Sequence, residues 1–133
     1  MRILIDTDVL LDFAVGREPF AHAGKRVIAW AEANPGRASI AWLSLSNLAY
    51  LAPTGIRDFL LQLIGFVEIP PTGTSDAVRA LNLPMHDLED ALQVAAALAF
   101  NATYIVSRNT KDYRLSPVPA ITPGEFCAQI GNP

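Results

Sequence analysis

An α/β fold, with a mainly parallel central sheet and helices on both faces, is what the sequence predicts for residues 1–133, read as a single domain. Three observations predict it. Short apolar runs of strand length alternate with longer segments of helical spacing. Prolines fall between those segments, where chain-breaking residues belong. Parallel strands buried on both faces read as continuous apolar runs, and right-handed crossovers place the intervening helices on both sides of the sheet.

The elements follow in order. Arg2 to Ile5 is a short apolar run ending at Asp6 and reads as a buried strand. Val9 to Ala14 forms a short helical turn stopped by Gly16. Glu18-Pro19 opens a helix to about Asn34, with Pro35-Gly36 as its terminator. Ser39 to Trp42 is a second strand. Ser44 to Leu51 is helical and ends at Pro53. Ile56 to Ile64 is an amphipathic helix closed by Gly65, and Phe66 to Ile69 is a third strand. Thr74 to Leu83 is a helix capped by Ser75 or Thr74. Asp87 to Phe100 is the strongest helix, with Asp87 suited to the cap and an alanine-rich body. Thr103 to Val106 and Val118 to Ile121 are the remaining strands, and Pro123 to Ile130 is a closing helix.

Composition bounds the function. Apolar residues are 51% and charged residues 17%, which excludes an intrinsically disordered chain. The lone cysteine, Cys127, cannot form an internal disulfide and agrees with a reducing compartment. A net charge of −3 and a pI of about 5.2 leave no basic footprint over the whole chain. No apolar run reaches the roughly 18 residues of a membrane span. Asp6 and Asp8 interrupt the apolar N-terminus, so it is no secretory signal. A soluble, cytoplasmic protein is the expectation.

In parallel sheets, ligands bind outside the carboxyl ends of the strands. After the first strand come Asp6-Thr7-Asp8 and, one turn later, Asp12. After the second come Ser44, Ser46 and Asn47; after the fourth come Ser107-Arg108-Asn109 and Asp112. The alanine-rich helix opens with Asp87, Glu89 and Asp90. Of the eight aspartates, six lie in these segments, a bias that scattered surface charge would not produce. Carboxylates gathered at one edge raise one another's pKa values, and a bound divalent cation relieves that cost. Oxygen ligands without histidine or cysteine suit Mg²⁺ or Mn²⁺.

Each residue also has a plainer reading. Asp6, directly after a buried strand, reads as a site residue. Asp8 either ligates or caps the following helix, and Asp87 either caps or acts in the site. Asp90, inside an apolar helix and three residues from Asp87, shares its face and reads as functional. Asp12 reads as solvent-facing. Asp112 and Asn109, taken singly, are ordinary loop residues. Arg108 either holds a phosphate or neutralises Asp112. Trp30 and Trp42 read as core, His86 as incidental, and Cys127 as no nucleophile.

Taken together, these segments resemble the PIN-domain nuclease family. The run Ile3-Leu4-Ile5-Asp6-Thr7-Asp8-Val9-Leu10-Leu11-Asp12 looks like the family's opening strand with its first acid. Gly16-Arg17-Glu18-Pro19-Phe20 is similar to the next stretch in one bacterial branch. Asp87-Leu88-Glu89-Asp90-Ala91-Leu92-Gln93 looks like the central helix motif, and Ser107-Arg108-Asn109-Thr110-Lys111-Asp112-Tyr113 like the last site motif. The resemblance implies a three-layer α/β/α sandwich and Mg²⁺- or Mn²⁺-dependent hydrolysis of RNA phosphodiesters, leaving a 5′-phosphate and a 3′-hydroxyl. By position, Asp6, Asp90 and Asp112 take the family's metal-binding acids. Asn109 takes the polar position before the last acid, Ser107 the small hydroxyl position, and Asp87 is an extra acid one turn before the central one. Arg108 is the candidate for RNA phosphate. The family usually carries a glutamate in the helix after the second strand. Here Leu43 to Tyr50 contains no acid, Asn47 is its positional equivalent, and Asp87 is the acid available to replace its charge. Many small members are toxins held by a short antitoxin protein, and many are homodimers.

Two other readings stand beside this one. Asp6-Thr7-Asp8-Val9 also fits the opening of a haloacid-dehalogenase-like phosphatase, with Asp6 as nucleophile and Asp8 as general acid. No well-placed lysine follows, and the chain is short for that fold. The acid-free Ser44 to Tyr50 helix fits a PIN-like module that binds RNA or a protein without cutting.

Overall fold

The computed structural model describes residues 1–52 and 54–131. Four strands form one sheet in the order β2-β1-β3-β4, every neighbouring pair parallel. They are β1 (Ile3–Ile5), β2 (Ala38–Ser39), β3 (Tyr104–Val106) and β4 (Ala120–Ile121). Seven helices surround them: α1 (Thr7–Val15), α2 (Phe20–Ala33), α3 (Trp42–Leu51), α4 (Ile56–Leu63), α5 (Thr74–Leu81), α6 (Leu88–Ala99) and α7 (Pro123–Ile130).

Strand alternation divides the core. Ile3 and Ile5 of β1 face a cluster that takes Val9 and Leu10 of α1, Val27 of α2, Leu48 of α3, Leu63 of α4 and Phe126 of α7. Leu4 faces the opposite layer, with Val94 and Ala97 of α6 and Ile105 of β3. Small residues carry α6 close to its neighbours: Ala91 and Ala95 pack against Ala80 of α5. Phe126 is fully buried, its ring edge-on to Trp30 at 5.2 Å between centroids. The expected α/β/α sandwich with a parallel sheet is thus the observed architecture.

Four expectations need correction. Phe66–Ile69 is not a strand. It adds only a bridge to the β2 edge, where Ile40 N–H donates to the Glu68 carbonyl (2.9 Å) and Glu68 N–H to that of Ala38 (3.0 Å). Pro70 and Pro71 follow, and a residue without N–H cannot extend a ladder. The second strand ends at Ser39 rather than Trp42, because Ala41 caps a helix that Trp42 already begins. Trp42 is therefore not core: it is 69% exposed, while Trp30 packs against the core as read. α5 is capped by neither Ser75 nor Thr74, which lie inside it. Gly73 precedes it, and its N–H donates to the Asp76 carboxylate (2.9 Å). Pro53, read as the end of α3, lies outside the described residues.

No helix of the described residues is long and apolar enough to cross a membrane.

Candidate functional site

The register of the sheet builds the site. Ile5 pairs with Val106, so the residues that follow, Asp6 and Ser107, leave the carboxyl ends of adjacent strands together. Asp6 caps α1, its Oδ1 accepting from Thr7 N–H at 2.7 Å. Its Oδ2 accepts from Ser107 Oγ and from the Tyr113 hydroxyl, both at 2.8 Å. The turn after β3 is built around Asp8: Oδ2 accepts from Arg108 N–H at 3.1 Å and from Asn109 Nδ2 at 3.0 Å. Ser107 Oγ closes that turn by accepting from Asn109 N–H at 3.1 Å. The other Asp8 oxygen, Oδ1, is buried without a hydrogen-bond partner.

α6 brings the third carboxyl group. Asp87 caps the helix, accepting from Asp90 N–H at 3.1 Å. Asp90 stands in the first turn, where the helix dipole favours an anion. The Tyr113 hydroxyl, buried at the end of a 3₁₀ turn (Thr110–Tyr113), lies between the two acids, 2.8 Å from Asp6 Oδ2 and 3.4 Å from Asp90 Oδ1. Its single proton is shared unequally, mostly with the nearer Asp6 oxygen and in part with Asp90.

These carboxyl groups are held against their charge. Burial raises the pKa of Asp6, while its hydrogen bonds from Tyr113, Ser107 and Thr7 pull it down and Asp112 adds repulsion. Burial and the charge of Asp6 push Asp8 up to about 7. Burial first, then Asp87, Asp6 and Asp112, push Asp90 to about 6. Burial among these acids raises the Tyr113 phenol, so it stays a donor.

Asp6, Asp8 and Asp90 line one cavity of about 530 Å³ together with Asn47, Glu89 and Gln93; Leu11, Leu43, Tyr50 and Leu51 supply apolar wall. Asp90 is also the partition to a second depression of about 320 Å³, where Asp87, Asp112, His86 and Lys111 lie. Among the described residues no three histidine, cysteine or acidic side chains stand ready as a metal cage. A buried trio crosses the cavity wall: Thr7 Oγ1 and Ser44 Oγ are 2.8 Å apart, and Gln93 Nε2 donates to them at 3.2 and 3.1 Å.

Residues 2–111 match the family model described as PIN domain. The chain belongs to the PIN-domain family. Comparison with curated proteins gives no match. Among solved structures, this PIN domain is similar to a chain of a toxin–antitoxin complex from Klebsiella pneumoniae, with a TM-score of 0.69, 24% identity, and 91% and 97% of the two chains covered. It is also similar to a chain of VapBC2 from Rickettsia felis bound to a promoter DNA fragment, with a TM-score of 0.67, 16% identity, and 92% and 98% covered. The haloacid-dehalogenase-like reading falls with the family assignment.

Measured against the sequence, the PIN domain gathers Asp6, Asp90, Asn47, Ser107 and Asn109 at one sheet edge, with Asp112 and Asp87 on the far side of Asp90. Asp8 does not cap α1; Asp6 does. Asp12 is not solvent-facing. It is 2% exposed and ion-paired with Arg108 (2.7 Å) and Arg17 (3.5 Å), because α1 turns this face toward the loop after β3. Arg108 accordingly does not pair with Asp112, and its guanidinium also stacks over Phe20 at 4.3 Å. Tyr113 and Gln93 were missed, while Thr7, Ser44 and Glu89 stood in the strand-end and helix-start segments without an assigned role. Gln93 was findable, since three residues after Asp90 is the same helix face. Tyr113 had no periodic signal.

Proposed function

We propose that this PIN domain is a divalent-metal-dependent endoribonuclease, the toxin partner of an antitoxin protein. The observation that carries the reading is the convergence of Asp6, Asp8 and Asp90 on one cavity at the ends of β1 and β3, with all three carboxyl groups raised in pKa. The donor set fits a hard cation: it is all oxygen, and Asp8 Oδ1 is buried and unpaired. Asp6, Asp90 and Asp112 are assigned to Mg²⁺ or Mn²⁺, with Asp8 joining them. A cation there would polarise the scissile phosphate and acidify a water.

The chain's own residues do the rest. Ser107 and Tyr113 hold Asp6 in one rotamer, and Asn109 holds Asp8. Asp87 fixes the first turn of α6 and so the height of Asp90. Asn47, on the cavity wall, orients a water or a ribose hydroxyl. Arg108, tied to Asp12, contributes field, while Lys111 beside Asp112 takes backbone phosphate. Single-stranded or looped RNA is the substrate, since Leu11, Leu43 and Tyr50 offer apolar and aromatic wall to an unstacked base. The complexes named for the two similar structures support an antitoxin partner. A homodimer, cytoplasmic like its RNA substrate, completes the proposal.

RNA cleavage in Mg²⁺ or Mn²⁺, with an EDTA control and Asp6→Asn, tests it. Cleavage should vanish in EDTA and fall by at least about 100-fold in the variant. Activity indifferent to EDTA, or kept by the variant, sinks the mechanism. A second reading, a module that binds without cutting, is favoured by the absence of any acid in α3. An intact fold with no saturable Mn²⁺ binding would select it.

A further inference from the structure

We propose that Gln93 supplies a neutral oxygen to the cation of this site, an inference that rests on the metal reading above. Gln93 follows Asp90 by one turn of α6 and lines the same cavity as Asp6, Asp8 and Asp90. Its side chain is buried, with 2% of the residue exposed. Two hydroxyl groups clamp its nitrogen: Nε2 donates to Thr7 Oγ1 at 3.2 Å and to Ser44 Oγ at 3.1 Å. With the nitrogen held, the oxygen is left over, and Oε1 has no hydrogen-bond partner. A buried, unpaired carbonyl oxygen in a folded protein calls for a bound donor or ion.

Asp8 Oδ1 is the second such atom at this cavity. Two orphaned acceptors, one on α1 and one on α6, belong to residues that line a cavity whose carboxyl groups already repel one another. A cation satisfies both at once and also relieves that repulsion. The clamp also gives α3 a role that its sequence hides. α3 brings no carboxylate to the site, yet its Ser44 holds the amide nitrogen of Gln93 and leaves the oxygen free of that contact. Gln93 is thus a neutral replacement, from α6, for a ligand that α3 does not provide.

Mn²⁺ titration of the full chain decides it, alongside metal-free melting. Gln93→Met keeps the volume and removes the oxygen; Mn²⁺ affinity should fall about 10-fold or more, with the metal-free melting temperature held within a few degrees. Gln93→Glu restores an oxygen and should recover the affinity at pH 8. Ser44→Ala, which loosens the clamp without touching an acid, should weaken Mn²⁺ by a smaller factor. Wild-type affinity in Gln93→Met overturns the inference, as does wild-type affinity in Ser44→Ala should the methionine variant fail to fold. A wild-type chain that binds no Mn²⁺ overturns the metal reading itself; a wild-type chain that binds while Gln93→Met binds equally overturns the role of Gln93 alone.

Discussion

At the scale of single residues, the Tyr113 hydroxyl and the Asp12–Arg108 pair govern how the acids are held. The hydroxyl stabilises the ionised forms of Asp6 and Asp90, so it lowers both pKa values against the burial that raises them. Tyr113→Phe removes that donor and nothing else of comparable size. The Asp90 titration should then move above its value of about 6 in the metal-free protein, read by carboxyl ¹³C chemical shift against pH. An unmoved Asp90 curve would show that the 3.4 Å contact carries no weight. Asp12 acts from further back. Its carboxylate is buried and bound by Arg108 Nε at 2.7 Å and Nη2 at 3.3 Å, which anchors the turn that holds Asp8. Breaking such a pair from one side strands the other charge, so Asp12→Ala should cost about 3 kcal/mol in urea unfolding, the low end for buried pairs because Arg108 is part-exposed. Asp12 was misread from sequence because helical spacing gives a face but not what faces it.

At the scale of elements, legibility followed the strength of local signals. α6 was readable because a capping aspartate, acids in the first turn and an alanine-rich body all agree. α7 was readable from Pro123, and the structure adds a capping box before it, Thr122 N–H donating to Glu125 and Glu125 N–H to Thr122 Oγ1, both at 3.0 Å. Phe66–Ile69 misled because apolar content resembles a strand while the following prolines deny it a ladder. The two readings of Asp87 separate at this scale too. Asp87→Ala loses the cap and should cost about 1 kcal/mol. Asp87→Asn keeps a capping oxygen and removes the charge that repels Asp90, so stability should hold while the Asp90 pKa falls from about 6. If RNA cleavage survives the asparagine, Asp87 is a cap that tunes Asp90; if cleavage is lost with the fold intact, it acts in the site.

At the scale of the molecule, the parallel sheet was legible in the alternation of strands and helices, but its order, which ends β1 and β3 side by side, was not. What the pattern could not contain was distance: which oxygen Tyr113 reaches, or that Thr7, Ser44 and Gln93 meet across residues far apart in the chain. That convergence has a global consequence, because the acids are worse off in the folded state than in the unfolded one. Asp8 titrates near 7 and Asp90 near 6 when folded, Asp6 is raised with them, and each has an ordinary value of 3.8. The folded protein therefore binds more protons than the unfolded chain between about pH 4 and 7, and linkage makes stability fall as pH rises through that window. For Asp8 and Asp90 the stabilising share is complete below 3.8 and is lost as pH rises through about 6 and about 7; Asp6 acts in the same direction. Glu125 has the opposite sign, but its lowered pKa places its effect below 4.5, outside the window. Metal-free protein should accordingly melt at a lower temperature at pH 8 than at pH 5.5. Mn²⁺, which binds the ionised carboxylates of the folded state, should raise the melting temperature at pH 8 much more than at pH 5.5. Differential scanning calorimetry with and without Mn²⁺ at the two pH values measures both. A metal-free melting temperature that rises from pH 5.5 to 8 would mean that the three carboxyl groups do not confront one another in the folded protein.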